Sequence, residues 1–278
     1  MRIGVSNIAW DPQEDEAVAA LLNEHGVDAI DVAPGKYFPD PLQTSDWKIR
    51  QVSDYWKQRG IEITGMQALL FGTSGLNLFA SDSAQQAMLD HLAAVCRIGA
   101  CLGGSRLVFG SPRNRDRGSI SDEASQEIAV DFFRRLGAIA ASNGVFVCLE
   151  PNPPCYGANF MTTSDETARI VALTDHPAIK MQLDTGAMKI NGEDVAQVIH
   201  RYAHLIGHVH ASEPGLLPLG DGGVDHVIVH EALSKKLPDH LVTIEMLATK
   251  NEPHVQSVDR ALTIAGKSYG QEGAGVIS

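Results

Sequence analysis

Residues 146–150 read FVCLE, a short apolar run that ends in the carboxylate of Glu150. Three later segments have the same form: KMQLD at 180–184, GHVH at 207–210 and VTIE at 242–245. Each run has the length of a buried strand. A buried strand that ends in a charge needs a partner for that charge, because an isolated buried charge is prohibitively costly. Four such endings favour one common cause over four independent helix caps or ion pairs.

The four strand-end side chains are predicted to bind one divalent metal ion. They are Glu150, Asp184, His210 and Glu245. Three carboxylates and one imidazole form an oxygen-rich set, which favours Mn, Mg or Co over the thiolate sites that select structural zinc. Zinc is possible but not preferred.

Short apolar strands alternate with amphipathic helices along the whole chain. Asp11, Pro12 and Glu14 form a capping box with proline at the first helical position, and Asn143 and Gly144 end another helix. Eight strands are predicted, near residues 2–6, 27–32, 61–67, 105–110, 145–150, 179–184, 205–210 and 241–245. Eight such units in 278 residues predict an α/β fold, a single-domain (β/α)8 TIM barrel with its active site at the carboxyl ends of the strands.

A doubly wound open sheet is the alternative architecture. That fold normally has a glycine-rich phosphate loop after its first strand, whereas the first strand here runs into SNIAWDP at residues 6–12. A glycine cluster at 220–223 follows the seventh strand, where barrels often bind phosphate, but the loop 213–225 has no Lys or Arg. We predict one barrel domain over residues 1–269 and a loose C-terminal tail at 270–278.

Composition restricts the class of partner. With 22 Lys and Arg against 34 Asp and Glu, the net charge of −12 argues against a nucleic-acid partner and favours a small molecule. The first residues contain no apolar segment of signal-peptide length, and the longest apolar stretches are strand-length. We therefore predict no membrane partner and a cytoplasmic location. The 4 cysteines form no CxxC pair and are predicted to be reduced.

Four segments carry a resemblance to a known family. LEPN at 149–152, LDTG at 183–186, HVH at 208–210 followed by Ser212 and Glu213, and IEM at 244–246 resemble the xylose isomerase-like TIM barrel family of sugar phosphate isomerases and epimerases. The resemblance covers nearly the whole chain. In its ketose 3-epimerase members the matching residues bind one Mn, Mg or Co ion, and the two glutamates also move protons. The resemblance therefore implies one divalent metal ion, a carbohydrate substrate, a homo-oligomer, and Glu150 and Glu245 as the catalytic acid and base.

The predicted reaction is proton transfer next to a carbonyl, through an enediolate. A metal ion that polarises the carbonyl acidifies the adjacent C–H, and one carboxylate then removes the proton. Return of the proton to the same carbon from the opposite face gives epimerisation. Return to the neighbouring carbon gives aldose–ketose isomerisation.

Three positions depart from the ketose 3-epimerase pattern. Those enzymes contact sugar through a Glu, a His and an Arg at positions that here hold Tyr156, Ala187 and Leu216. The difference argues against a free ketohexose as the substrate. It favours a substrate with fewer hydroxyls to satisfy there, or with a differently placed head group.

Further residues near the strand ends are predicted to contact the substrate. His208 shares strand parity with His210, although packing or support of the metal ligands fits it equally well. Tyr156 and Trp10 are candidates for the apolar platform that sugars need, although an ordinary aromatic side chain at the rim of the barrel is the more frequent outcome. The full set is Gln67, Asn152, Tyr156, His208, Glu213 and Trp10. The three arginines of the strand-four loop are interpreted as solvated rather than as an anion site: Arg113, Arg115 and Arg117.

Other functions compete with the isomerase prediction. A metal-dependent lyase or dehydratase of a keto-sugar or keto acid would use the same intermediate and expel a leaving group from the next carbon. The endonuclease branch of the superfamily needs further His ligands and a DNA-binding face, and the acidic balance and Ala187 argue against it. A noncatalytic sugar-binding protein would have no need for a complete metal quartet with two suitably placed carboxylates.

Overall fold

A computed structural model of the chain shows eight parallel strands closed into a barrel, in the order β1 to β8. Each strand pairs in parallel with its neighbour in sequence, and β1 closes the barrel against β8. The structure describes residues 1–270, so the predicted tail lies outside the described residues from residue 271 onward. The predicted (β/α)8 barrel is confirmed.

The strands overlap their predicted positions. β7 runs two residues further than predicted, because Ala211 and Ser212 continue its ladder against Ile244 and Glu245 of β8. The bounds are β1 Ile3–Ser6, β2 Ala29–Val32, β3 Glu62–Met66, β4 Arg106–Phe109, β5 Phe146–Leu149, β6 Ile179–Asp184, β7 Ile206–Ser212 and β8 Val242–Glu245.

The helices begin where side chains cap their free backbone amides. Ser45, Ser81 and Ser121 each accept a hydrogen bond from an amide in the first turn of the following helix. The capping box at Asp11 is present, but residues 12–14 form a 3-10 turn before the first α-helix begins at Asp15. The helices are α1 Asp15–Glu24, α2 Asp46–Lys57, α3 Asp82–Leu102, α4 Asp122–Ser142, α5 Ser164–Thr174, α6 Thr185–Asn191, α7 Val195–Tyr202, α8 His226–Lys236 and α9 His254–Tyr269.

Strand register brings the site residues to one end of the barrel. Asp184 pairs with His210, and Ser212 pairs with Glu245. Glu150 follows the last residue of β5. All four predicted ligands therefore lie at the carboxyl ends of β5 to β8, where the loops after the strands form the active sites of such barrels. Within residues 1–270, no helix combines the length and the apolar character needed to cross a bilayer.

Candidate metal centre and active site

The four predicted ligands converge into one buried cluster. Glu150, Asp184, His210 and Glu245, hereafter the quartet, each offer one ligand atom, and these atoms all lie within 4.8 Å of one another. His210 Nδ1 is 3.4 Å from Glu150 Oε1 and 3.2 Å from Glu245 Oε2. The quartet is thus a possible site for a divalent metal ion.

The electrostatics of the quartet fit a cation. Burial and the nearby charges of Glu245 and Glu150 raise the pKa of Asp184 well above its usual range. Burial opposes protonation of His210, but the surrounding carboxylates raise its pKa well above the ordinary value. Glu150 Oε1 and both ring nitrogens of His210 are buried without a hydrogen-bond partner. A bound divalent ion would offset the clustered negative charge and would also give the unpartnered ligand atoms a partner.

Amide side chains hold the two glutamates. Gln67 Nε2 donates to Glu245 Oε1 over 2.7 Å, and Asn152 Nδ2 donates to Glu150 Oε2 over 3.2 Å. Arg115 donates to the Glu150 carbonyl oxygen over 2.7 Å and also to Asn152 Oδ1. Both carboxylates therefore have fixed positions and retain oxygens that face the quartet.

Asp184 is held at both oxygens. Its Oδ1 accepts from the Ala187 amide over 2.6 Å, which also caps α6, and its Oδ2 accepts from Ser212 Oγ over 2.7 Å. The Gly186 amide donates in turn to Ser212 Oγ over 2.9 Å. These bonds leave Asp184 less free to move than the two glutamates.

Space beside Glu150 depends on Gly110, the residue that follows β4. A Cβ atom at position 110 would lie 2.0 Å from Glu150 Oε2. No side chain can occupy that position while the Glu150 carboxylate stays in place. Gly110 is thus part of the geometry that fixes the quartet.

One buried carboxylate was not predicted. Asp31 on β2 is fully buried, and its Oδ2 lies 2.6 Å from His208 Nε2 and 3.9 Å from His210 Nε2. Thr64 Oγ1 donates to its Oδ1 over 3.0 Å. Burial raises the pKa of Asp31, but the interaction with His208 outweighs burial and lowers it below the ordinary value. The run AIDV at 29–32 carries the same signal, an apolar strand with a carboxylate near its end.

A cavity of about 740 Å³ opens above the quartet. Four of the predicted substrate contacts line it: Gln67, Asn152, Tyr156 and Glu213. His208 and Trp10 do not, and their prediction as substrate contacts is corrected. His208 is fully buried beneath the quartet against Asp31. Trp10 is fully buried, donates from Nε1 to Asp15 over 2.7 Å and packs edge-on against Trp56.

The interpretation of the strand-four arginines as solvated is wrong for Arg115. Its side chain is fully buried behind Glu150, and burial lowers its pKa to about 10 although the Glu150 charge opposes the shift. Arg117 pairs with Asp122, and Arg113 is exposed. Sequence alone could not separate the three, because only the path of the loop decides which arginine turns inward.

The glycine cluster after β7 binds a carboxylate of the same chain. The amides of Gly220 and Val224 donate to Glu213 over 2.8 Å and 3.0 Å. His226 Nε2 lies 3.3 Å from the same side chain. The loop amides that could have bound a phosphate therefore donate to Glu213 instead. Glu213 lines the cavity, and these hydrogen bonds fix the loop that follows it.

Comparisons with known proteins agree with the fold. The family model described as "Xylose isomerase-like TIM barrel" matches residues 19–264. The 3-dehydro-D-guloside 4-epimerase of Escherichia coli (strain K12) is 24% identical over 250 residues, which are 84% of this chain and 87% of that protein. The inosose dehydratase of Geobacillus thermodenitrificans (strain NG80-2) is 28% identical over 98 residues, 35% of this chain and 32% of that protein.

A solved structure shows the same fold. The D-psicose 3-epimerase with D-tagatose from Clostridium cellulolyticum H10 superposes with a TM-score of 0.81 at 19% identity, and the match covers 97% of this chain and 99% of that one. The family model spans most of the described barrel, including all four members of the quartet. The chain belongs to the xylose isomerase-like TIM barrel family.

Proposed function

We propose that the protein is a divalent-metal-dependent sugar isomerase or epimerase that moves a proton next to a carbonyl through an enediolate. The observation that carries the proposal is the quartet: two of its carboxylates, Glu150 and Glu245, line the cavity and are positioned by separate amide side chains. The epimerase relative of Escherichia coli, which matches most of the chain, supports a carbohydrate substrate.

The residues present fit a divalent metal ion. The donor set of three carboxylates and one imidazole favours Mn, Mg or Co, with Zn as an acceptable substitute. When bound, such an ion supplies a positive charge that polarises a substrate carbonyl and stabilises the negative charge of the enediolate. Asp184 and His210 are proposed only to hold the ion. Both Asp184 oxygens already accept hydrogen bonds, and His210 lies below the cavity with its Nδ1 towards Glu245.

Glu150 and Glu245 are proposed as the acid and base. Glu150 follows β5 and Glu245 ends β8. Two strands, β6 and β7, separate β5 from β8 on one side of the closed barrel, so a ligand in the cavity fits between the two glutamates. One glutamate removes the proton next to the carbonyl and the other returns it. Gln67, Asn152, Tyr156 and Glu213 are proposed to bind the sugar, because they share the cavity wall with both glutamates.

A dehydratase is the second candidate, and the similarity to an inosose dehydratase favours it. Such an enzyme would begin with the same proton abstraction. Its intermediate would then lose hydroxide from the next carbon and release water, rather than regain a proton at carbon. The two reactions therefore share their first step and differ in their products.

The test is hydrogen exchange in deuterated water with Mn²⁺, a panel of ketoses and keto-glycosides, and NMR detection. Metal-dependent entry of deuterium next to a carbonyl with an inverted centre is expected for an epimerase, a moved carbonyl for an isomerase, and an alkene or enone signal for a dehydratase. Glu245→Gln should stop exchange even at saturating Mn²⁺. Asp184→Asn should recover part of its exchange as Mn²⁺ is raised, because that residue is proposed only to hold the ion.

The same experiment separates catalysis from simple binding. Glu231→Gln, an identical change on the exposed surface of α8, should leave exchange unaltered. Exchange that persists in Glu245→Gln would contradict the assigned role, and a noncatalytic sugar-binding protein would show no exchange at all. A homo-oligomer and a cytoplasmic location complete the proposal; sedimentation and cell fractionation test them.

A further inference from the structure

The cavity wall has a polar part and an apolar part. Carboxylates and amides form the polar part, whereas large apolar side chains from several loops form the other, hereafter the outer wall. The outer wall includes Ile8, Phe38, Leu69, Phe71, Leu216 and Leu247. Phe71 is 85% exposed and Leu247 is 50% exposed. Large apolar side chains left open to water on a concave wall beside a reactive centre are typical of a binding surface.

The outer wall is fixed by hydrogen bonds between loops. The Leu247 amide donates to the Leu216 carbonyl oxygen over 2.9 Å, which joins the loops after β7 and β8. The Gly215 amide donates to Tyr156 Oη over 2.7 Å, which joins the loop after β5. The three side chains Tyr156, Leu216 and Leu247 are therefore presented together, without the ordering cost that a flexible surface would incur on binding.

Backbone strain occurs in the same wall. Leu216 has φ of 53° and Ala68 has φ of 54°, in the left-handed region that residues with a Cβ atom rarely adopt. Both line the cavity. Strain of this kind persists where surrounding structure imposes it, and its position at a cavity wall indicates that the shape of the wall is functional.

Charge on the wall disfavours an anionic substrate. Among the residues that the structure describes, Lys36 is the single lysine or arginine on the wall, and its ammonium group already donates to the carbonyl oxygens of Asn7 and Trp10. The same wall carries four carboxylates: Glu150, Asp184, Glu213 and Glu245. A phosphate or carboxylate on the outer part of a substrate would therefore meet four carboxylates and a single ammonium group, two of whose three N–H donors are already engaged.

We propose that the substrate is an uncharged keto-glycoside with an apolar aglycone. The sugar carbonyl would face the quartet, and the aglycone would lie against Phe71, Leu216 and Leu247, hereafter the aglycone subsite. The sugar end of this inference rests on the proposed function. A cavity of about 740 Å³ is in the range that encloses a ligand much larger than a monosaccharide, and a sugar alone would leave the apolar outer wall open to water.

The first test compares three probes in the Mn²⁺-dependent exchange assay: the methyl and 4-nitrophenyl 3-keto-glucosides and a ketose 6-phosphate. The kcat/KM of the aryl glycoside should exceed that of the methyl glycoside by about tenfold or more, because the aryl ring buries exposed apolar surface. The difference should come mainly from a lower KM. Phe71→Ala and Leu247→Ser should reduce the aryl-to-methyl ratio. Leu173→Ser, the same change at a leucine of α5 that is 42% exposed and lies outside the cavity, should leave the ratio unchanged.

A binding measurement separates this inference from the proposed function. In saturation-transfer NMR with 4-nitrophenyl glucoside, which has no keto group to react, the aryl protons should receive saturation from the wild type and much less from Phe71→Ala. Aryl binding without exchange on any probe would support the subsite and refute the proposed function. Exchange with equal kcat/KM for methyl and aryl glycosides and no aryl saturation would refute the subsite and leave the proposed function standing.

Two further outcomes would also overturn the inference. A ketose 6-phosphate that is the best of the three probes would contradict an uncharged substrate. A dimer in sedimentation analysis that Phe71→Ala converts to monomer would show that a second copy of the chain covers this wall instead.

Discussion

Asp31 on β2 accepts a hydrogen bond of 2.6 Å from His208 on β7, inside the barrel and beneath the quartet. The same Asp31 oxygen lies 3.9 Å from His210 Nε2, and His210 Nδ1 points to the glutamates. The negative charge of Asp31 favours the tautomer of His210 that has its proton on Nε2. That tautomer leaves the Nδ1 lone pair free for a metal ion, in the manner of the carboxylates that orient metal-binding histidines in other proteins.

Asp31→Asn should therefore weaken metal binding by about 10- to 100-fold, because the amide keeps the shape of the carboxylate and loses its charge. Isothermal titration with Mn²⁺ measures the effect. The matched control is Thr243→Val, since Thr243 is also fully buried, pairs with His210 in register, and has a hydroxyl without a hydrogen-bond partner. Wild-type affinity in Asp31→Asn would show that the carboxylate only packs the barrel.

Gln67 is one of the groups that lower the pKa of Glu245. Burial raises the pKa of Glu245, but the charge of His210 and hydrogen bonds that include the one from Gln67 lower it below the ordinary value. Gln67→Met removes a donor that stabilises the ionised form, so the pKa of Glu245 should rise. The acid limb of the pH–rate profile should move to higher pH, and kcat at a fixed pH on that limb should fall about tenfold, the scale of a hydrogen bond to a charged group.

A structural effect alone would not move the acid limb. The control Gln197→Met changes an exposed glutamine on α7 and should leave both the profile and kcat unaltered. A Gln67→Met enzyme with reduced kcat and an unshifted profile would mean that the bond positions Glu245 without setting its proton affinity.

The sequence predicted the parts of the site that depend on strand ends. In a parallel barrel the carboxyl ends of neighbouring strands meet, so Glu150, Asp184, His210 and Glu245 could be brought together from spacing alone. Strand parity was less informative for His208. Its side chain does point inward, but one strand layer below the quartet, where it meets Asp31 rather than the cavity.

The paths of the loops could not be predicted from the sequence. Trp10 follows β1 as a rim aromatic would, yet a 3-10 turn directs it into the layer between barrel and helices, against Trp56. Arg115 turns inward because the carbonyl oxygen of Glu150 and the side chain of Asn152 supply acceptors that exist only in the folded chain. Such contacts depend on three-dimensional proximity between residues about 35 positions apart, which periodicity does not encode.

A side chain at position 110 should displace the Glu150 carboxylate from the quartet. In Gly110→Ala the new Cβ would lie 2.0 Å from Glu150 Oε2, so the carboxylate would have to leave its position in the quartet. We expect Mn²⁺ affinity and exchange activity to fall by about 100-fold or more, as for loss of a catalytic group. Gly266→Ala on α9 is the control, because a Cβ there meets nothing within 4 Å and alanine favours the helix. A Gly110→Ala protein that binds Mn²⁺ normally would show that Glu150 is not a ligand.

Metal removal should make the stability of the protein depend on pH. The folded pKa of Asp184 is raised above 3.8 and that of His210 above 6.5. Groups with raised folded pKa values stabilise the fold while protonated, and that contribution is lost as pH rises through the folded values. In the presence of EDTA, the free energy of unfolding should therefore decrease as pH rises above 6.5, where the His210 contribution begins to be lost.

A divalent ion should reverse this trend, because it binds the deprotonated ligands and competes with protons for them. Urea unfolding with EDTA and with Mn²⁺, at several pH values from about 6 to about 8, measures the difference. The stabilisation by Mn²⁺ should grow with pH and reach about 2.7 kcal/mol at a hundredfold excess over Kd. His210→Gln removes the imidazole that titrates in this range, so its metal-free stability should change less with pH. A metal-free wild type whose stability rises across this range would show that protons do not occupy the quartet in place of the ion.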